Sequence, residues 1–230
     1  MKQDLNLFAL LRQQAVRHPL DIATDSARRA ISFRRLWSRI ERATARLQGE
    51  WHVAPGDHVV YWGNAHPDAL ILYVAVARCG ARLLPLERPE LRRHAHAIWD
   101  RYQPKAVVHD DGVLIDSTLV TSVIASLPSM LSVRCHHDED VEENDALPSL
   151  VDLYLENDQL MAQSYSLHHL GDATVNPIAD LGARSTSVQA IDQNHQNATS
   201  LQVRDELFDP LLLSLRIFPA LVRGETVSFP

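Results

Sequence analysis

The sequence predicts an α/β protein in which strands and helices alternate along the chain. Residues His58–Trp62 (HVVYW) are mostly β-branched or aromatic, which is typical of a buried strand. The nearly all-apolar run Asp68–Cys79 predicts a buried helix that ends at Gly80, and Ala81–Leu86 predicts a second strand. A strand, a helix and a strand within about 30 residues indicate a crossover that joins two parallel strands. This is alternating α/β construction.

The residues before this unit predict two helices separated by short strands. Leu5–Arg17 is amphipathic and is expected to end before Pro19, because the residue that precedes a proline is disfavoured in a helix. A second helix over Phe33–Gln48 keeps an apolar stripe, with Ser32 as its N-cap and Gly49 at its C-cap. The strand candidates between the two helices are Asp21–Asp25 and Ala30–Phe33.

Beyond Leu86 the alternation continues and then weakens. The segment Ser117–Leu127 is compatible with a helix or with a strand, and Leu207–Val222 is apolar. Pro210 and Pro219 limit any helix in the latter to Leu211–Phe218. The other predicted elements are a helix over Pro89–Tyr102, a strand over Ala106–His109 and a terminal strand over Thr226–Phe229.

Composition excludes several classes of protein. The chain has 230 residues, of which 46% are hydrophobic, so it can bury an ordinary core. No apolar run reaches the roughly 18 residues that a membrane helix needs, and the N-terminus becomes polar too soon for a secretory signal. Two cysteines, Cys79 and Cys135, are too few for a disulfide framework or a zinc cluster. We therefore expect a reduced, cytoplasmic protein without a membrane partner.

Charge is divided unevenly along the chain. Residues 1–105 carry a net charge of +7 and residues 106–230 a net charge of −14. Because the arginines stand at helical spacing among apolar residues, a solvated helix face is favoured over a nucleic-acid surface. A second interpretation is that the basic half docks on the acidic one. The arginines concerned are Arg28, Arg29, Arg34, Arg35, Arg39, Arg42 and Arg46.

Twelve histidines raise the question of a metal site. The pairs His136-His137 and His168-His169 lie near acidic residues, but adjacent histidines in a strand point to opposite faces, which does not suit one shared ion. Neither pair has the i, i+4 spacing of helical zinc ligands. The sequence therefore predicts no metal site.

Three blocks within residues 1–108 resemble a known family in their order and spacing. They are AVRHPLDIAT, ISFRRLWSRIERATARL and APGDHVVYWGNAHPDALILYVAVARCGARLLPLE. They are similar to the N-terminal region of the AMP-forming adenylating superfamily, which includes acyl-CoA synthetases, peptide-synthetase adenylation domains and luciferases. DELFDPLLLSLRIFPALVRGETVSFP resembles a later segment of the same family. The matching positions are Gly56, Asp57, Val59, Asn64, Gly80, Pro85 and Leu86.

The resemblance implies a division of the chain and an activity. Residues 1–135 would form the synthetase-like α/β region, 136–146 an acidic linker and 147–230 a divergent region, with 201–230 packing back on 1–50. The family activates a carboxylic acid with ATP and Mg²⁺, giving an acyl-adenylate and then a CoA thioester. ATP, Mg²⁺ and a small carboxylic acid are therefore the ligands that the resemblance implies.

The phosphate-binding loop of the family, of the form TSGTTGxPK, has no counterpart in this sequence. The chain has eight glycines, no two of them within six residues of each other, whereas a phosphate-cradling loop needs clustered glycines. Only Lys2 and Lys105 are available as lysines. The nearest candidate for the loop is Met161–Pro177, whose cofactor-binding residues would be Ser164, Ser166 and Thr174. The sequence predicts no catalytic residue.

Three interpretations follow from a matching scaffold without its phosphate loop. The chain is a non-catalytic homologue that binds a partner or a small carboxylic acid, or it is one half of a split adenylating enzyme, or it is a fragment without a function. In the second case a protein partner or a second copy of the chain would cover exposed core surface. In each case we expect that the chain does not catalyse the reaction by itself.

Overall fold

The computed structural model describes residues 7–119, 121–132, 148–156, 159–166, 200–203 and 207–230. It confirms the mixed α/β fold. Within these residues one sheet has six strands in the order β6-β5-β3-β4-β7-β8, all parallel except β8. Its strands are β3 (His58–Trp62), β4 (Arg82–Pro85), β5 (Ala106–His109), β6 (Val123–Ser126), β7 (Pro148–Glu156) and β8 (Gln159–Ser166).

A smaller sheet joins the two ends of the chain. Its four strands have the order β2-β1-β10-β9. Val227 lies beside Thr24, so the parallel pairing of β10 with β1 brings the C-terminal residues against the N-terminal ones. The strands are β1 (Ile22–Ser26), β2 (Arg29–Ser32), β9 (Ser200–Gln202) and β10 (Thr226–Ser228).

Helices cover both faces of the larger sheet. The most buried is α3 (Pro67–Arg78), which contacts β1 of the smaller sheet and β4 and β7 of the larger one. Strand residues alternate between two cores: Val59 and Tyr61 face the core around α3, and Val60 and Trp62 face the other. The other helices are α1 (Leu7–Arg17), α2 (Phe33–Ala45), α4 (Pro89–Arg92), α5 (Ala95–Tyr102), α6 (Leu127–Ser132), α7 (Pro210–Leu212) and α8 (Phe218–Arg223).

The predicted N-cap position of α2 is confirmed, and its predicted C-cap is wrong. Ser32 occupies the N-cap position, but its side chain makes no capping hydrogen bond. The backbone N–H groups of Phe33 and Arg34 instead donate to the carbonyls of Asp21 and Pro19. At the other end the helix continues into a π turn at Arg46–Glu50 that includes Gly49.

Two other predicted helices have different bounds. The expected helix over Pro89–Tyr102 is divided into α4 and α5, because His94 leaves helical geometry with φ −99° and ψ 15°. Pro219 does not end the C-terminal helix, which continues to Arg223. A π turn at Leu213–Ile217 widens the helix just before this proline, and we attribute the tolerance of its ring to that wider turn.

The ambiguous segment Ser117–Leu127 contains the strand β6, and α6 begins at its last residue. The predicted acidic linker 136–146 lies outside the described residues. Among the residues that are described, no helix is long and apolar enough to cross a membrane.

Candidate functional site

The carboxyl ends of β3, β4 and β5 meet at one edge of the larger sheet, because these strands are parallel. Trp62 lies beside His109 in the register, so β3 and β5 end at the same level. Polar residues follow both strands: Asn64 after β3 and Asp110 after β5. Ligands of open α/β sheets bind at this kind of edge, which makes it the candidate functional site.

Asp110 is the centre of the hydrogen-bond network at this edge. Its Oδ2 accepts from the backbone N–H of Asn64 at 2.7 Å. Its Oδ1 lies 2.8 Å from the hydroxyl of Tyr61 and 3.0 Å from Nε2 of His66. The Tyr61 hydroxyl is also 2.7 Å from the carbonyl of Asn64, so its single proton faces two acceptors.

The network changes the pKa of both of its acids. Burial would raise the pKa of the Asp110 carboxyl, but the hydrogen bonds from His66, the Asn64 N–H and Tyr61 outweigh it and lower this pKa. Burial, followed by the charge of Asp110, raises the pKa of the Tyr61 phenol well above its usual value of 10. At neutral pH the pair is therefore a carboxylate and a neutral phenol that donates to it.

Both ring nitrogens of His66 are engaged. Nδ1 accepts from the backbone N–H of Asp68 at 3.2 Å, which makes His66 the N-cap of α3. An accepting Nδ1 places the proton on Nε2, which then donates to Asp110. His66 thus orients α3 and has no nitrogen left to act on a substrate.

Asp68, in the first turn of α3, accepts from two arginines of the N-terminal region. Arg39 donates to its Oδ1 at 2.9 Å, and Arg29 donates to the same oxygen. A carboxylate in the first turn of a helix is stabilised by the helix dipole as well as by these ion pairs. The interaction fixes the β1–β2 hairpin to the entrance of α3.

The absence of a side chain at Gly63 allows Asp110 and the Tyr61 hydroxyl to approach this part of the backbone closely. A Cβ at this position would lie 2.6 Å from Cγ of Asp110 and also against the hydroxyl of Tyr61. The carbonyl of Gly63 accepts from Arg92 at 3.0 Å. No larger residue fits here unless Asp110 moves.

Arg88 and Arg92, at this edge, donate hydrogen bonds to backbone carbonyls. Arg92 donates from Nε to Leu86 at 2.9 Å and from its second amino group to Glu87 at 3.1 Å. Arg88 donates to the carbonyl of Leu153 and lies 3.5 Å from Oδ1 of Asp152. Arg88 therefore joins the segment after β4 to the middle of β7, and Arg92 holds the backbone that follows β4.

The described residues of this edge do not fit the phosphates of ATP. Its carboxylates are Glu87, Asp110 and Asp152, which would repel a triphosphate, and its nearest arginines already serve backbone carbonyls. Lys105 stands before β5, at the amino end of that strand, on the opposite edge. A search of the described chain for three or more metal-ligating side chains in one place found no cluster.

Two of the predicted cofactor-binding residues, Ser164 and Ser166, are described and lie in β8. Residues 161–166 of the expected loop form part of β8, not a loop, because they pair with β7. Ser164 pairs with Val151 and is exposed, and Ser166 pairs with Pro148 at the strand end. Thr174 lies outside the described residues, so phosphate binding by these three residues stays a prediction.

Sequence reasoning missed the residues of the Asp110 network. The sequence predicts a strand at Tyr61 and indicates no role for His66 or Asp110. A signal for His66 was present in the sequence, since Pro67 and Asp68 are typical of a first helical turn and place an N-cap at 66. The partnership with Asp110 has no local signal. The histidine pairs at 136–137 and 168–169 lie outside the described residues.

A parallel sheet with helices on both faces and polar groups at its carboxyl edge defines a doubly wound α/β protein. The sequence model of the AMP-binding enzyme family matches residues 11–180. This match covers most of the chain, and the chain therefore belongs to the AMP-binding enzyme family. A search of curated proteins gave no match.

Solved structures share this fold. The N-terminal subdomain of Klebsiella oxytoca NpsA, in complex with 3-hydroxybenzoyl-AMSN, matches with a TM-score of 0.71 and 16% identity, over 98% of this chain and 53% of that one. o-Succinylbenzoate CoA synthetase (MenE) from Bacillus subtilis matches with a TM-score of 0.71 and 13% identity, over 96% and 43%. The nonribosomal peptide synthetase FmoA3, in an AMPPNP-bound form, matches with a TM-score of 0.71 and 16% identity, over 98% and 23%.

At these identities the likeness shows the fold alone. It is the fold of the N-terminal region of adenylating enzymes, as the sequence predicts. The chain spans about half the length of the NpsA subdomain and a smaller share of the other two proteins.

Proposed function

We propose that this chain is the scaffold half of a cytoplasmic adenylating module, which activates a carboxylic acid with ATP only when further polypeptide completes it. The observation that carries the proposal is the match of 98% of this chain to 53% of the NpsA N-terminal subdomain. That subdomain is in complex with an acyl-AMSN compound. In the family reaction the product would be an acyl-adenylate, followed by a CoA thioester.

The chemistry of the carboxyl edge supports a scaffold role. Developing negative charge on a phosphoryl group needs cations or N–H donors aimed at it. At this edge Arg88 and Arg92 donate to backbone carbonyls, and the Asp110 network fixes the entrance to α3. These residues position a site, and groups from another segment would bind the nucleotide.

The outer side of β8 is where we place the added polypeptide. Among the described residues β8 is the last strand of the larger sheet and pairs with β7, so a strand added beside β8 would extend that sheet. Met161 on this strand is 37% exposed. The further strand would come from the same polypeptide, from a separate partner or from a second copy of the chain.

Two measurements test the proposal. Isothermal calorimetry of the purified chain with ATP and Mg²⁺ should give no heat of binding up to millimolar nucleotide, and ATP–pyrophosphate exchange should be absent with any carboxylic acid. Binding at micromolar ATP, or exchange by the chain alone, would overturn the scaffold role. The Ser164→Ala variant, with exposed Ser38→Ala as its control, would then show whether Ser164 is the phosphate ligand.

Co-expression of the chain with proteins encoded by neighbouring genes tests whether a separate polypeptide completes the adenylating module. Native mass spectrometry should show a complex, and the complex should exchange pyrophosphate with at least one carboxylic acid. A complex without exchange would favour the second candidate function, a non-catalytic scaffold. A strict monomer in every co-expression would contradict the need for a separate partner.

A further inference from the structure

A cavity of about 570 Å³ lies beside α5, at the amino end of β5 and away from the Asp110 network. One side is lined by His96, Trp99 and Asp100, which share a face of α5, and by Gln103, which follows the helix. The opposite wall is the segment before β6, formed by Thr118, Leu119, Thr121 and Ser122. This volume is within the range of small-molecule sites.

Part of the lining of the cavity is apolar. Trp99, Pro104 and Leu119 line it and are all buried. Trp99 packs edge-on against Trp62, with ring centroids 6.2 Å apart, so its indole belongs to the core and has a fixed orientation. Such residues can contact the apolar body of a ligand.

The rim of the cavity carries one cation and one anion. Lys105 lies at one end and is half-buried, whereas the Asp100 carboxylate is exposed on the helix wall. His96 at the far end lies 3.6 Å from Asp116, so that carboxylate offsets its charge when it is protonated. A single ammonium opposed by a carboxylate favours a ligand with one negative charge and a hydrogen-bond donor, and it disfavours a triphosphate.

Hydrogen bonds hold the two walls in place without a ligand. Thr121 donates from its hydroxyl to the carbonyl of Pro104 at 2.9 Å, which joins the walls at the lysine end. The backbone N–H of Lys105 donates to the carbonyl of His58 at 2.8 Å and anchors that residue to β3. The walls are therefore already ordered before a ligand binds, and binding costs little conformational entropy of the protein.

We propose that this cavity binds a small organic monoanion with an apolar body and one hydrogen-bond donor, such as an aromatic hydroxy- or amino-carboxylic acid. Its carboxylate contacts Lys105, its donor group contacts Asp100, and its body lies on Trp99 and Leu119. This site is separate from the carboxyl edge and does not depend on the proposed adenylating function.

The resonance of the Trp99 indole N–H reports on binding at this place. The chain has four tryptophans, and a Trp99→Phe variant identifies the peak of Trp99 in a ¹H–¹⁵N spectrum of the full chain. The probe is para-hydroxybenzoate. Benzoate, which lacks the donor, and para-hydroxybenzyl alcohol, which lacks the carboxylate, are the comparison molecules. We expect a saturable shift of the Trp99 peak with para-hydroxybenzoate, a weaker response to benzoate and none to the alcohol.

Substitutions measure the contribution of the Lys105 ammonium to binding separately from the contributions of neighbouring residues. Lys105→Ala should weaken the binding of para-hydroxybenzoate by about tenfold, since a charge-assisted contact is lost. Arg101→Ala is the matched control, because Arg101 is an exposed cation of α5 that does not line the cavity, and the affinity of this variant should be unchanged. Asp100→Ala should remove the preference for para-hydroxybenzoate over benzoate, because it removes the acceptor of the phenol hydrogen bond.

Four results would overturn the proposal. They are no saturable shift of the Trp99 peak up to the solubility limit, a shift that Lys105→Ala leaves unchanged, a shift confined to the other tryptophans, and an equal response to ATP. None of them bears on pyrophosphate exchange, so the two proposals fail separately.

Discussion

His66 and Asp110 are joined by a hydrogen bond of 3.0 Å between Nε2 and Oδ1, although 44 positions separate them in the sequence. The same imidazole accepts the backbone N–H of Asp68 at its other nitrogen. One imidazole ring thus connects the carboxyl end of β5 to the first turn of α3. In a catalytic histidine–carboxylate pair the second nitrogen faces the substrate, whereas here it is consumed by a helix cap.

Replacement of His66 tests its role as a cap. His66→Ala should lower the free energy of unfolding by about 1–2 kcal/mol, because the N–H of Asp68 loses its acceptor and Asp110 loses a donor. His66→Asn should retain most of that stability, since asparagine is among the best N-cap residues. Urea denaturation of both variants measures the difference. Equal losses in the two variants would show that the ring itself, and not the cap, matters.

Acid denaturation should depend on Asp110. Its pKa in the folded chain is below the ordinary value of 3.8, so its carboxylate adds stability at neutral pH. This contribution is lost as pH falls from about 5 toward the folded pKa. Asp110→Asn should therefore be less stable at pH 7 and show a shallower loss between about pH 5 and pH 3. The exposed neighbour variant Asp111→Asn is the control and should follow the parent chain; identical acid profiles for all three proteins would contradict the assignment.

Gly63 and Gly49 form a matched pair for substitution by alanine. Gly63→Ala should lower stability by about 2 kcal/mol or more, because the new Cβ meets the Asp110 carboxylate and Tyr61. Gly49→Ala has open space around it and should be neutral or stabilising by up to about 1 kcal/mol. Thermal unfolding of both variants measures this contrast. A tolerated Gly63→Ala would mean that the network is looser than its distances indicate.

The thiol of Cys79 should be inert in the folded chain. Burial raises its pKa to about 12, so almost no thiolate exists near pH 8. In a Cys135→Ser background, a thiol-specific reagent should label Cys79 only as denaturant unfolds the protein. Labelling of the native chain at the rate of a free thiol would contradict the burial of α3.

The local sequence predicted the central strands well. The predicted bounds of β3 and β5 are those observed, because β-branched and aromatic residues stand between clear turn residues in both. The buried helix α3 was predicted to within one residue at each end, since an apolar run followed by Gly80 has few alternatives. Tertiary contacts replace a local rule at Ser32, where backbone carbonyls of Pro19 and Asp21 take the place of a side-chain cap.

The sequence alone determined the α/β class, the family and the lack of clustered glycines, because these depend on residue types and on spacings of a few positions. Only the tertiary structure decided which distant groups meet. Three contacts depend on where parallel strands end. They are the pairing of Thr24 with Val227, the hydrogen bond of His66 with Asp110 and the hydrogen bond from Arg92 to the carbonyl of Gly63. Strand ends are set by sheet register and helix packing, which join segments far apart in the chain and leave no periodic signal in either one.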